Sequence, residues 1–348
     1  MRFPNLLREE MQARGRQKRE AETRILDVSW LQEDAEALKA LHEILGRVAI
    51  PLVTPFQRNE EVNFDALAEI IDFVISQGFC DSLILTATTG EFYALSDEER
   101  ICIWKEASNA VKGRVPLVAG VGAASTRATV ELAQAAERLG YDVAMVVVPY
   151  YSRPPQQGLL HHFRTVAASV SIPILIYNIP LFVGVNLEPE TLEALRGVPN
   201  IRGVKDEAGL NPMQATAFAL RMPPDFSIYC GDDPMVLQSL SQRAVGAVSG
   251  GAHVVGDWMK AMIAAYFEGD SAKASRIYFH LAPFFAALSG KGRINSTPLL
   301  RIAIEMFSGI PIGPPRSPQV PATPEEIAVV KNALDEVTRI PVAAIDEC

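Results

Sequence analysis

The sequence of 348 residues predicts an α/β protein, a (β/α)8 TIM barrel with an N-terminal extension and a C-terminal helical region. Eight short apolar runs alternate with longer amphipathic stretches, which is typical of βαβ units and a parallel sheet. Eight such units in succession indicate closure into a barrel. From residue 254 onward the pattern is entirely helical. We therefore assign residues 1–45 to the extension, 46–253 to the barrel and 254–348 to the C-terminal helical region.

The extension combines a charged segment with one predicted helix. Residues 1–24 hold Arg, Lys and Glu with few large apolar side chains, and Ile25–Leu45 shows leucines at helical spacing. We expect this helix to pack on the barrel.

The predicted strands are near-continuous apolar runs, as expected for strands that are covered on both faces. They are Val48–Val53, Ser82–Leu85, Pro116–Gly120, Val143–Val148, Ile174–Asn178, Gly203–Lys205, Ser227–Cys230 and Gly246–Ser249. A doubly wound sheet is the competing fold. It is disfavoured because the first run leads into Thr54-Pro55-Phe56 and not into the glycine-rich phosphate turn of that fold.

The predicted helices fall into two groups, those between the strands and those of the C-terminal region. The first group includes Phe64–Gln77, Asp97–Val111, Thr126–Leu139 and Gly158–Ala168. The second comprises Val254–Glu268, Ser271–Leu288, Leu299–Phe307 and Pro324–Val337, the last after a Pro-rich connection.

Charge, cysteine usage and hydropathy disfavour several classes of protein. The chain has 32 Lys and Arg against 41 Asp and Glu and shows no basic stripe, so we expect no nucleic-acid partner. No apolar run reaches the roughly 18 residues that span a bilayer, and no signal peptide is visible, so we expect no membrane partner. The four cysteines lack C-x-x-C pairing, which favours a reducing compartment. We therefore expect a cytoplasmic protein.

Metal chemistry is not indicated either. None of the five histidines forms a metal-ligand spacing, so we expect no metal and no cofactor, and a zinc-dependent aldolase is disfavoured. The pair His161-His162 is predicted to lie on the surface of a helix. The pair Asp232-Asp233 is predicted to cap the helix that follows it.

Polar residues cluster where the predicted strands end, the end of such a barrel that carries active sites. Lys205 ends the sixth strand, where desolvation would favour a neutral amine that can attack a carbonyl carbon. A structural lysine paired with Asp206 or Glu207 is the alternative. Tyr177 ends the neighbouring strand, so its phenol is expected within reach of Lys205, where it would shuttle protons.

Two further turns could bind a ligand. Thr88 and Thr89 precede Gly90 and could offer hydroxyls and backbone N–H groups to a carboxylate, although a capped turn would look the same. Gly231 lacks a side chain and would let the backbone approach a ligand closely.

Three segments together resemble the dihydrodipicolinate synthase / N-acetylneuraminate lyase family. They are Thr88-Thr89-Gly90-Glu91, Tyr177-Asn178-Ile179-Pro180 and Gly203-Val204-Lys205-Asp206, with Pro149-Tyr150-Tyr151 between the first two. The resemblance covers about Val48 to Phe307. It implies a barrel that forms oligomers, as a tetramer or a dimer, and that binds pyruvate or another 2-oxo acid as a Schiff base on a lysine.

The resemblance also implies a role for each matching residue. Lys205 would form the Schiff base, and Tyr177 would shuttle protons. Thr88 and Thr89 would bind the carboxylate of the 2-oxo acid. Thr88 and Tyr151 would join a hydroxyl relay, with Tyr151 projecting into a neighbouring subunit. Finally, Gly231 and Val248 would line the pyruvate end of the site.

Three departures from the family pattern concern the second substrate. Phe182 stands where synthases carry an arginine that grips a carboxylate. Glu207 and Pro234 stand where sugar lyases carry a threonine and a glutamate. Phe182 and Glu207 are therefore expected to select a partner other than an anionic aldehyde.

These features favour a Schiff-base-forming lyase that cleaves or forms a C–C bond, or that dehydrates a 2-keto-3-deoxy acid. Two alternatives remain open. One is a dihydrodipicolinate synthase proper, also called 4-hydroxy-tetrahydrodipicolinate synthase, and the other is a non-catalytic protein that only binds a 2-oxo acid.

Overall fold

Eight parallel strands form a closed barrel in a computed structural model that describes residues 40–207, 211–290 and 292–347. Each strand pairs with its neighbour in the chain, and the first pairs with the last, Val48 lying opposite Ala247. The strands are β1 Val48–Pro51, β2 Ser82–Leu85, β3 Leu117–Gly120, β4 Val143–Val147, β5 Ile174–Asn178, β6 Ile201–Asp206, β7 Ser227–Cys230 and β8 Gly246–Val248. The predicted fold class is confirmed.

The strands differ from prediction only at their ends. Strand β6 is longer than the predicted run, because Ile201 and Arg202 precede the glycine at which we began it. Its pairing with β5 sets Tyr177 opposite Lys205. Because paired residues on adjacent strands point to the same face of the sheet, this register brings the two side chains together.

Helices surround the barrel. Those of the barrel segment are α1 Leu41–Leu45, α2 Phe64–Ser76, α3 Asp97–Val111, α4 Thr126–Arg138, α5 Gln156–Ala167, α6 Pro180–Val183, α7 Pro189–Glu193, α8 Gln214–Arg221 and α9 Val236–Leu240. Those that follow are α10 Ala252–Phe267, α11 Ser271–Ser289, α12 Thr297–Ser308 and α13 Pro324–Val337. In the described parts of the chain, no helix is long and apolar enough to span a membrane.

Helix α1 closes the end of the barrel opposite to Lys205. Leu41 and Leu45 are fully buried, and the backbone N–H of His42 donates to the hydroxyl of Ser227, which begins β7. Helix α1 is the described end of the helix predicted over Ile25–Leu45. The rest of the predicted range, residues 25–39, lies outside the described residues, and the domain boundaries stay a prediction.

Two sequence predictions about local structure were wrong. His162 is buried, with Nδ1 2.9 Å from Oγ1 of Thr126, because it shares the inner face of α5 with Leu159 and Phe163. This burial lowers the pKa of His162 to about 4. Its neighbour His161 is exposed, as predicted.

The second error concerns Asp233, which does not cap the helix that directly follows it. Its carboxylate accepts the backbone N–H of Gly251 at 2.7 Å, at the start of α10. The side chain therefore ties the loop after β7 to the first helix of the C-terminal region.

A buried ion pair joins the C-terminal region to the barrel. Arg301 on α12 and Glu91, which follows β2, are both essentially inaccessible, with Nη1 2.9 Å from Oε1. The same guanidinium donates to the carbonyl of Thr54, in the loop after β1. Burial raises the pKa of Glu91, and the charge of Arg301 opposes that rise.

We predict that Arg301→Met destabilises the protein by about 3–5 kcal/mol, because it removes the ion-pair partner of the buried Glu91 carboxylate and leaves only the backbone N–H of Arg316 bonded to it. Urea denaturation measures the change. The double variant Arg301→Met with Glu91→Gln should recover part of the loss, since it removes the unpaired charge. A loss below about 1 kcal/mol in the single variant would show that the pair contributes no more than a surface salt bridge.

Candidate active site

A cavity of about 310 Å3 opens at the carboxyl end of the strands. All sequence-predicted site residues except Tyr151 line it, namely Thr88, Thr89, Tyr177, Phe182, Lys205, Glu207, Gly231 and Val248. Residues far apart in the chain thus meet in one place because parallel strands present all their carboxyl ends at one end of a barrel.

The amine of Lys205 lies at the inner end of this cavity between two groups. Its side chain is 5% exposed, and Nζ is 3.3 Å from Oε2 of Glu207. Nζ also lies over the ring of Tyr177, 3.8 Å from the ring centre. The aromatic face and the carboxylate both stabilise the ammonium form, so they compensate for the loss of water around it.

Glu207 contacts both Lys205 and Tyr177. It follows β6 directly, and its Oε2 accepts a hydrogen bond from the Tyr177 hydroxyl at 2.6 Å. Burial and the neighbouring Glu207 raise the pKa of Tyr177 well above its ordinary value of 10, whereas a hydrogen bond with Thr88 lowers it. Thr88, Tyr177, Glu207 and Lys205 therefore form one connected set of polar groups.

Gly231 makes room for this set. A methyl group added at its α-carbon would lie 2.5 Å from Cε of Lys205 and 3.1 Å from Cβ of Glu207. The close approach that we expected at this glycine is thus made by these two side chains, and any larger residue would displace them.

Acidic groups outnumber the lysine at this end of the cavity. Asp232 and Asp233 line the wall beside Glu207. Burial, reinforced by the charge of Glu207, raises the pKa of each of the two aspartates to about 6. Among the described residues no group of three or more His, Cys, Asp or Glu side chains could hold a metal ion.

Tyr151 lies away from the cavity. Its side chain is 95% exposed, and its backbone adopts a left-handed conformation with φ of 70°. The relay with Thr88 across a subunit boundary stays a prediction.

Phe182 occupies the cavity wall on the short helix α6. This helix begins at Pro180 and ends at Val183, and it is capped by Gly184, whose φ of 78° suits glycine. Leu181 and Phe182 line the opening. The guanidinium of Arg153 packs on Gly184, where an added methyl group would lie 2.6 Å from Nε.

An arginine that the sequence analysis missed also lines the cavity. Arg293 lies between α11 and α12, and its guanidinium binds Glu326 through two contacts, Nε to Oε1 at 2.5 Å and Nη2 to Oε2 at 2.8 Å. Arg293 is far from any strand end, so the pattern that places active residues there does not predict it, and its position in a polar loop between two predicted helices was the one signal for it.

Known proteins share both the sequence and the fold. The sequence profile of the Dihydrodipicolinate synthetase family matches residues 44–337. The 4-hydroxy-tetrahydrodipicolinate synthase of Moorella thermoacetica is 39% identical over 292 residues, which cover 84% of this chain and 98% of that protein. The enzyme of the same name from Bacillus subtilis is 35% identical over 294 residues, covering 84% and 99%.

Solved structures agree with these matches. The dihydrodipicolinate synthase of Cyanidioschyzon merolae, crystallised with lysine bound, superimposes with a TM-score of 0.81 at 31% identity, covering 85% of this chain and 99% of that one. The synthase of Aquifex aeolicus gives a TM-score of 0.78 at 31% identity, covering 83% and 97%. The matches make the chain a lyase of the class I aldolase type, and it belongs to the dihydrodipicolinate synthetase family.

Proposed function

We propose that the protein forms a Schiff base between Lys205 and pyruvate, or another 2-oxo acid, and uses it to make or break a C–C bond or to dehydrate a 2-keto-3-deoxy acid. One observation carries the proposal: the amine of Lys205 is nearly inaccessible to solvent yet lines an open cavity, with a carboxylate 3.3 Å away to exchange protons with it. An iminium at C2 withdraws electrons from the neighbouring bonds, which is what the reactions have in common.

The remaining cavity residues would hold the 2-oxo acid in reach of the amine. Thr88 and Thr89, in the turn after β2, would bind its carboxylate through hydroxyl and backbone N–H groups. Gly231 and Val248 would form the wall beside its C2 and C3 atoms. Proton transfers would pass through Glu207, whose carboxylate accepts the hydrogen bond of the Tyr177 hydroxyl.

For the second substrate we propose a neutral aldehyde, hydroxylated or apolar. Phe182 offers an apolar surface where a carboxylate would need a cation. Glu207 and the two aspartates beside it repel an anion. Arg293 already pairs with Glu326 and would have to leave that carboxylate to bind another.

A second candidate is 4-hydroxy-tetrahydrodipicolinate synthase itself, because relatives at 34–39% identity carry that name. The same lysine chemistry would serve both reactions. Condensation with a neutral aldehyde and the synthase reaction differ only in the aldehyde, so the walls of the outer cavity decide between these two.

We also propose that the protein acts as a homo-oligomer. The exposed Tyr151 is the residue through which one copy would complete the site of another, with its hydroxyl approaching Thr88.

Borohydride reduction in the presence of pyruvate tests the Schiff base. We expect irreversible addition of reduced pyruvate to Lys205 in the native protein, located by peptide mass spectrometry. Lys205→Ala and Lys205→Arg should gain no mass, since a guanidinium stays protonated and is not a nucleophile. Lys260→Arg, on the outer helix α10, serves as the control and should label normally. Labelling of Lys205→Ala, or of a different lysine in the native protein, would contradict the proposal.

The choice of aldehyde is tested by comparing glyceraldehyde, as a neutral probe, with aspartate semialdehyde. We expect kcat/KM for the anionic aldehyde to be at least about tenfold lower, which corresponds to about 1.4 kcal/mol of transition-state stabilisation. Phe182→Arg should raise kcat/KM for aspartate semialdehyde toward the value for glyceraldehyde, because the arginine supplies a partner for the carboxylate. A native kcat/KM above roughly 10⁴ M⁻¹s⁻¹ for aspartate semialdehyde would restore the synthase assignment.

A further inference from the structure

We propose that Glu207 is the base that removes a proton from C3 of the bound 2-oxo acid and later returns a proton to the product oxygen, and that Tyr177 is the positioning residue that holds this carboxylate. The assignment rests on the proposed Schiff base at Lys205.

The geometry places Glu207 and not the phenol beside the reacting nitrogen. Oε2 of Glu207 lies 3.3 Å from Nζ of Lys205, in an ion pair. Tyr177 instead presents the face of its ring to Nζ, at 3.8 Å from the ring centre. A 2-oxo acid joined to Nζ has its C3 atom two bonds away, which keeps it within reach of the same carboxylate oxygen.

The hydrogen-bond direction points the same way. Tyr177 donates its proton to Glu207 at 2.6 Å, so the phenol oxygen is not a base in this arrangement. Burial next to a carboxylate raises the pKa of Tyr177 and so disfavours the phenolate further.

Two of the neighbouring carboxylates are bonded to other groups. Asp206 accepts hydrogen bonds from the side chains of Asn178 and Gln214, each at 2.9 Å. Asp233 accepts the backbone N–H of Gly251. In the described residues around Lys205, Glu207 is therefore the carboxylate joined to both the lysine and the tyrosine.

Each proton can be followed through the reaction. Glu207 takes a proton from the ammonium of Lys205, and the free amine adds to C2. A proton on the nitrogen moves to the former carbonyl oxygen, and Glu207 donates its own proton so that this oxygen leaves as water and an iminium remains. Glu207 then removes a proton from C3. The electrons of the C–H bond form a C2–C3 double bond, and those of the C–N double bond return to nitrogen.

The resulting enamine completes the cycle. Its C3 attacks the carbon of the aldehyde, the new alkoxide takes the proton held by Glu207, and water hydrolyses the iminium to release the product and Lys205. No oxidant, reductant or metal takes part.

Exchange of the C3 protons of pyruvate in D2O tests this step without the second substrate. We expect Glu207→Gln to lower the exchange rate by about 10²–10⁴-fold, the usual contribution of a general base, while the final extent of borohydride labelling of Lys205 stays within about tenfold, because slower imine formation leaves the position of the imine equilibrium unchanged. Glu207→Asp keeps a carboxylate and should retain more exchange than Glu207→Gln. The control Glu131→Gln alters an exposed carboxylate of the outer helix α4 and should exchange at the native rate.

Tyr177→Phe separates positioning from catalysis. The fold-loss of exchange rate in Tyr177→Phe should be at least about tenfold smaller than the fold-loss in Glu207→Gln. The double variant should lose little more than Glu207→Gln alone, because Tyr177 acts through that carboxylate.

Three results would overturn the assignment. They are exchange by Glu207→Gln within about threefold of the native rate, a larger loss in Tyr177→Phe than in Glu207→Gln, and loss of borohydride labelling together with exchange in Glu207→Gln, which would place Glu207 in imine formation alone. If the native protein is not labelled at all, the Schiff base itself fails, and this outcome is distinct from the other three.

Discussion

The contact between Lys205 and Glu207 is the interaction on which the site depends. An ammonium with 5% of its side chain exposed would be costly to bury alone, and the carboxylate at 3.3 Å compensates for that cost. The arrangement needs Gly231, because any β-carbon there would occupy the space of the lysine side chain. It also needs the pairing of β5 with β6, which places Tyr177 beside the lysine.

The C-terminal region gives the cavity its outer wall, and a second buried charge pair holds that region in place. Arg301 and Glu91 connect α12 to the loop after β2, the loop that also carries Thr88 and Thr89. Arg293 approaches the opening from the segment before α12. The residues around Lys205 and the outer wall of the cavity thus come from different parts of the chain. Relatives could therefore share the residues around the lysine and differ in the outer wall.

Sequence patterns predicted the barrel and the meeting of Lys205 with Tyr177 in one cavity, because both follow from where the strands end. Lys205 and Tyr177 end neighbouring strands, and closure of the barrel decides that they meet. The hydrogen bond from Tyr177 to Glu207 could not be predicted, since it depends on how the chain turns after β6. Arg293 was missed because its loop approaches the site only through tertiary packing. The burial of His162 could have been read from its three-residue spacing after Leu159, but two adjacent histidines suggested a solvated surface.

A crystal structure of the protein after borohydride reduction with pyruvate tests the central claim most directly. Our account predicts continuous density from Nζ of Lys205 to C2 of the adduct, its carboxylate on Thr88 and Thr89, and an oxygen of Glu207 within about 3.2 Å of C3, as a base requires. Pyruvate bound without a covalent bond, or Glu207 turned away from C3 with the Tyr177 hydroxyl in its place, would contradict it.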